Sequence, residues 1–254
     1  MTAVQDASAL PTQQVETGGR PRLLSALTII TLVAVLIGLY MALFNARTDI
    51  DQGDVQRIFY IHMPAFIGAF VALGGTVIGG IQYLRTRQVK WDTLALAGVE
   101  VGIALALVNL VTGMVWARPI WNTWWTWDPR LTSEAIMVLT YAAYIMLRQG
   151  IENPEQRRRF AAVYGILAFI TVIITLVITR IRPDTIHPVV IGPSVQTDMA
   201  QGAFEVAATS GVRAALMVNM PVWAVLVPIT LMWYRIRLEN FNQHIQALKM
   251  KALS

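Results

Sequence analysis

Six stretches of this chain are almost free of charge, and nothing else in the sequence limits its fold so severely. Residues 23–46, 160–179 and 214–234 carry no charged side chain, and 58–84 carry none apart from His62. Residues 93–117 hold only Glu100, and 131–147 only Glu134. A helix needs roughly 20 residues to cross a hydrocarbon core of about 30 Å, and each block meets or approaches that length. Lipid offers no partners to the backbone, so a span must be a helix or a strand of a closed barrel. Barrel strands alternate polar and apolar residues over about ten positions, whereas these blocks are continuously apolar. Only 14% of all residues are charged, against about 25% in soluble domains. The expected fold is therefore an all-α integral membrane protein, a bundle of about six transmembrane helices. The spans are expected at 23–44, 57–84, 93–116, 132–148, 159–180 and 214–234.

Around that six-span domain, 23–237, lie a polar N-terminal segment, 1–22, expected to be disordered, and a tail, 238–254. The N-terminal segment lacks the short basic character of a signal peptide, and the apolar run after it is too long for a cleaved one. With no cysteine in the chain, disulfide and thiolate chemistry are excluded. The net charge of +5 would suggest nucleic acid in a soluble protein. In a membrane protein it reads as topology. The N-terminus, the connections after spans two and four, and the tail hold thirteen Lys and Arg, and the opposite side holds seven. Both termini are thus expected in the cytoplasm, with the lipid bilayer and not nucleic acid as the surrounding partner. Phosphate-binding loops and the metalloprotease and serine-hydrolase motifs are absent, so this chain is expected to be neither an ATPase nor a hydrolase.

Two connections on the outer side are longer than helix packing requires. One, 181–213, contains Pro183, Pro188 and Pro193, which break any helix in its first half. Thr197 is placed to cap a short helix leading into span six. The other, 117–131, belongs to "ARPIWNTWWTWDPRLTSE", in which four of the eight tryptophans fall between Trp121 and Trp127. If this stretch is helical, Trp121, Trp124, Trp125 and Asp128 share one face. Pro119 and Pro129 would bracket that helix. An aromatic belt spreads one or two tryptophans per helix end, a role open to Trp223 and Trp233. Four in seven residues favour an outer-face platform for a flat apolar ligand, with an interfacial anchor as the alternative.

His62, about 7 Å inside span two at 1.5 Å per residue, and His187 fall on the same side as the Trp segment. A single histidine at such a depth usually just hydrogen-bonds a neighbouring helix. Two beside four tryptophans point to metal, because neutral imidazole is the commonest metal ligand and a frequent axial ligand of haem iron. Arg57 and Arg130, and less directly Arg118, suit carboxylates such as haem propionates, although snorkelling to the interface is the plainer role. Asp128 is a candidate to orient Arg130 or an indole N–H. His244, in the tail, reads as structural or solvated, and Glu100, inside span three, has no assigned role.

These residues resemble a known signature. "WNTWWTWDPRLTSE" is similar to the WGTWWxWDxRLT motif of the haem-handling proteins of cytochrome c maturation. Six spans in about 250 residues match the heme exporter protein C family best, with the likeness covering spans two to six. The resemblance implies a haem-binding membrane permease subunit that presents or exports haem b on the outer face. Its implied partners are ATP-binding-cassette exporter subunits and a membrane-anchored haem chaperone that receives the haem. His62 and His187 correspond to the family's two iron ligands, Trp121, Trp124, Trp125 and Trp127 to its tryptophans, and Arg57 and Arg130 to its arginines. Asn122 replaces the usual small residue after the first tryptophan, and Pro129 the usual alanine. "RIRPDTIHP" lacks the Trp-Trp pair often found before the second histidine. Two rivals stand beside this reading: a membrane b-type cytochrome carrying electrons, and a docking subunit without haem.

Overall fold

The computed structural model describes residues 21–49, 52–187 and 211–253. Those residues are helical throughout, apart from short connections. The expected disorder at 1–22 falls almost wholly outside the described residues, as does the short helix after Thr197.

The first helix, α1 (Arg22–Tyr40), starts after Pro21 and ends in a π-helical turn, Met41–Asn45, before Ala46 becomes extended. A 3-10 turn, Asp54–Ile58, feeds α2 (Phe59–Thr86). This helix stops where Arg87 turns left-handed and its N–H bonds the Tyr83 carbonyl. The third, α3 (Val89–Trp121), stops at Asn122, also left-handed with φ 54°. Asn tolerates that conformation because its short polar side chain bonds locally, so Asn122 does what a glycine would do there. Two helices then begin alike. In α4 (Pro129–Gly150) and α5 (Pro154–Ile181) proline occupies the first position, where no N–H is needed. Asp128 and Asn153 cap them with side-chain oxygens. The last rod is α6 (Val212–Pro221), a π-helical turn (Val222–Leu226) and α7 (Val227–Leu253), which carries the tail onward as helix.

Five of these segments are long and apolar enough to cross a membrane: 22–45, 54–86, 89–121, 154–181 and 212–250. The fourth expected span, α4, has 22 residues, about 33 Å of helix, but is less apolar along its length. The cause is a polar stripe of Arg130, Ser133, Glu134, Tyr141 and Tyr144, every one of them buried. A helix whose polar face meets other helices does not present it to lipid. The chain is a multi-pass membrane protein.

The tightest pairing is α2 against α3. A Cβ at Gly98 would lie 2.5 Å from the Ala72 carbonyl oxygen, and one at Gly79 2.6 Å from that of Trp91. Small residues let membrane helices approach backbone to backbone, and Thr76 bonds the Ala95 carbonyl across the gap at 3.1 Å. By contrast α1 is peripheral, with most of its apolar surface exposed. It is joined to α6 and α7 by hydrogen bonds: Thr28 to Tyr234 (2.8 Å), Thr31 to Thr230 (2.9 Å) and Asn219 to the Gly38 carbonyl (2.9 Å). Such interhelical bonds contribute about 0.6 kcal/mol each in lipid.

Intramembrane charges are paired. Glu100, left without a role by the sequence, meets Arg235 of α7. Asp92 of α3 receives two bonds from Arg148 of α4, at 2.6 and 2.9 Å, and lies 3.7 Å from Arg158 of α5. Three helix ends are thereby fastened on the side opposite the Trp segment.

Candidate functional site

The stretch between Pro119 and Pro129 does not form a helix of its own. Pro119 lies within the last turns of α3, which continues to Trp121, and residues 122–128 are irregular. The left-handed Asn122 diverts the chain, and Arg118 bonds both its carbonyl (2.8 Å) and its side chain (2.5 Å). Trp121, Trp124, Trp125 and Asp128 therefore do not share one helical face. Trp121 and Trp125 line a cavity, whereas Trp124 and Trp127 are exposed, Trp127 to 79%.

The cavity, about 380 Å³ counting the space open to solvent, gathers residues from α2, α3, α4 and the connections after α3 and α5. His62 comes from α2, Asn109, Gly113, Trp116 and Trp121 from α3, Arg130 and Glu134 from α4, and His187 from the segment after α5. The rings of His62 and His187 have centroids 6.4 Å apart and are tilted by 30°. Metal–imidazole bonds are about 2 Å long, so one ion held between two imidazoles puts their centroids about 6 Å apart. The Trp121 ring stands edge-on to His187 at 6.4 Å and to Trp116 at 5.0 Å. Trp116 was not singled out by the sequence, because it lies on α3 before the dense run. Its Nε1 donates to Gln52 at 2.9 Å.

Asp128 is the hub. One oxygen caps α4 by accepting from the Arg130 N–H at 2.8 Å. The other accepts from the Thr185 hydroxyl and the Ile186 N–H, both at 2.7 Å. Thr185 in turn accepts from the His187 N–H at 3.2 Å. Just upstream, Arg182 grips Asp184 through two bonds of 2.7 and 2.6 Å, and the guanidinium holds that carboxyl below its usual range. Asp128 thus orients the Arg130 backbone and the segment leading to His187 rather than an indole.

The two arginines part company. Arg130 is buried at the cavity wall, paired with Glu134 at 2.5 Å and stacked 4.4 Å from the Phe66 ring centroid. The second oxygen of Glu134 has no hydrogen-bond partner. Arg57 is outside the cavity lining. It bonds the carbonyls of Ala42 and Leu43 at the end of α1, with Asp54 at 3.1 Å and Thr48 at 3.2 Å. Its cation meets carbonyls that the helix end leaves without donors. His244 is exposed on α7.

A family model described as heme exporter protein C matches residues 7–251. The heme exporter protein C of Rhodobacter capsulatus is 33% identical over 147 residues, 58% of this chain and 60% of that protein. That of Bradyrhizobium diazoefficiens is 35% identical over 150 residues, 59% of this chain and 56% of the relative. The Paracoccus denitrificans protein is 26% identical over 210 residues, 83% of this chain and 81% of the relative. The chain thus spans less than two thirds of the length of the first two.

Proposed function

The chain belongs to the heme exporter protein C family, and from that premise we propose that it is a haem-binding membrane permease subunit with no catalytic turnover of its own. It presents or exports haem b on the outer face for transfer to a membrane-anchored haem chaperone during cytochrome c maturation. ATP-binding-cassette exporter subunits supply the energy that this chain has no motif to harvest. The surplus of Lys and Arg on the opposite side supports the outer placement and cytoplasmic termini.

One observation carries the reading. His62 and His187 come from separate segments yet both line a cavity walled by indoles, with their ring centroids 6.4 Å apart. Haem supplies an iron that takes axial imidazoles and a flat ring that lies against aromatic walls. In this assignment His62 and His187 are the iron ligands, and Trp116, Trp121 and Trp125 flank the ring. Arg130 meets a propionate through the guanidinium it now shares with Glu134. Trp124 and Trp127, exposed on the same side, face the chaperone or the lipid headgroups.

The test is the absorption spectrum of detergent-purified protein titrated with haem, wild type beside His62→Ala and His187→Ala. A Soret band that weakens or shifts in each variant is expected. Haem bound equally by all three proteins rejects the ligand assignment, and a wild type that takes up none rejects the function.

A further inference from the structure

His62 Nδ1 has three polar neighbours, all on α3. The Asn109 carbonyl oxygen lies 3.0 Å away, the Thr112 hydroxyl 3.1 Å and the Asn109 side-chain nitrogen 3.2 Å. A carbonyl only accepts, so its bond requires a proton on Nδ1. The Thr112 hydroxyl has one proton, and the Val108 carbonyl takes it at 2.6 Å. The hydroxyl oxygen is left to accept from the same Nδ1–H. The Asn109 amide gives one N–H to the His62 carbonyl at 2.6 Å. Its second N–H is the only donor among these neighbours facing Nδ1, at the longest of the three distances, and two nearer acceptors oppose it. Gly113, one residue after Thr112, completes the seat, since a Cβ there would come within 2.9 Å of His62 Cε1. No hydrogen bond from His62 Nε2 to a described residue accompanies these.

We propose that Asn109 and Thr112 are positioning residues that hold His62 as the Nδ1–H tautomer, fixing its lone pair on Nε2 and strengthening that nitrogen as an iron donor. The proposal rests on the reading of His62 as an axial ligand. A neutral imidazole has one donor and one acceptor nitrogen, so fixing the proton on one fixes the lone pair on the other. Accepting a hydrogen bond from the far nitrogen raises the basicity of the ligating one. The device sits on a packed helix, which holds ligand geometry more sharply than a loop does. The segment carrying His187 is a loop by contrast, so the structure gives the two imidazoles unequal supports.

The ring is examined first without haem, in full-length protein labelled with 15N-histidine, with His62 assigned by its loss in His62→Ala. The proton is expected on Nδ1, and Thr112→Val shifts population toward Nε2–H. A wild-type ring protonated mainly at Nε2 overturns the proposal. Haem titration and redox titration follow for wild type, Thr112→Val and Thr112→Ser. Loss of a partner behind a ligating histidine typically weakens binding 10- to 100-fold. One of several bonds is removed here, so Thr112→Val is expected near tenfold. The midpoint potential of bound haem rises in that variant, because a weaker donor stabilises ferric iron less, and Thr112→Ser restores both. Unchanged affinity and potential in Thr112→Val refute the lock while leaving the haem function intact. If the wild type takes no haem, the function fails, and the tautomer measured without haem still judges the lock.

Discussion

Asp128 and Thr185, 57 residues apart in sequence, are joined by a 2.7 Å hydrogen bond from the Thr185 hydroxyl to the carboxylate. The same oxygen takes the Ile186 N–H, so the residue that closes the Trp run also fixes the segment leading to His187. The aspartate of the signature is therefore a fastener between the connections after α3 and after α5. Its other oxygen starts α4 and so sets where Arg130 and Glu134 enter the cavity.

Asp128→Asn separates these two duties. Asn caps a helix as well as Asp does, but its side chain has a single acceptor oxygen. Whichever way the amide is turned, either the cap or the Thr185–Ile186 pair is lost. Hydrogen bonds to a charged group are worth about 1.5–3 kcal/mol, which corresponds to roughly 10- to 100-fold in binding. Helix content by circular dichroism is expected to hold while haem affinity falls to the level of His187→Ala. Wild-type affinity in Asp128→Asn would show that the His187 segment needs no such anchor.

Gly113→Ala addresses the His62 seat from the other side. In a helix interior alanine is favoured over glycine by about 1 kcal/mol, so the apo protein is expected to keep or raise its thermal midpoint. The added methyl meets His62 Cε1 at 2.9 Å and forces the ring to move. Haem affinity is expected to fall by roughly tenfold, the size seen when support behind a ligand is disturbed. Wild-type affinity at an unchanged or raised thermal midpoint would mean that the ring has room to spare.

Much of the fold was legible because membrane burial writes itself into composition. The charge-free blocks around α1, α2, α3, α5 and the α6–α7 rod mark helices long enough to span. The fourth span was legible too, yet the polar stripe that lowers its apolarity is its packed face. Within the site, His62, His187, Trp121, Trp125 and Arg130 of the expected set line one cavity, and Trp124, Trp127 and Arg57 are not in its lining. The local path of residues 122–128 was not readable. Both prolines are compatible with a helix start or a helix end, and only the left-handed Asn122 decides between them. Nor did the sequence reveal Trp116, one α-helical register before the run, or the carbonyls that occupy Arg57. Backbone acceptors leave no mark in a list of side chains.

Arg57→Ala distinguishes a structural arginine from a propionate partner. The side chain bonds the Ala42 and Leu43 carbonyls where α1 ends, so truncation exposes that helix end and frees Asp54. A loss of about 1–3 kcal/mol is expected for bonds of this kind, seen as a lower thermal midpoint in detergent. Haem affinity is expected to change less than twofold. A large loss of affinity at unchanged stability would return Arg57 to the binding site.

The tryptophans divide by exposure, and their substitutions are expected to divide with them. Trp125 lines the cavity, and its ring meets that of Trp127 edge-on at 5.7 Å. A contact between a cavity indole and the haem ring is expected to contribute about 0.5–1.5 kcal/mol beyond burial, as aromatic pairs do, or roughly 2- to 10-fold in affinity. Trp125→Ala and Trp121→Ala are therefore expected to weaken haem binding at least that much, since each also removes cavity wall. Trp127→Ala, at a side chain 79% exposed, leaves equilibrium binding unchanged and slows transfer of haem to an added chaperone. Measured by stopped-flow absorbance, a Trp127→Ala protein that binds normally and transfers at the wild-type rate would assign this indole to the lipid interface. Equal loss of binding in all three variants would instead restore the single continuous platform that residues 122–128, as folded, do not form.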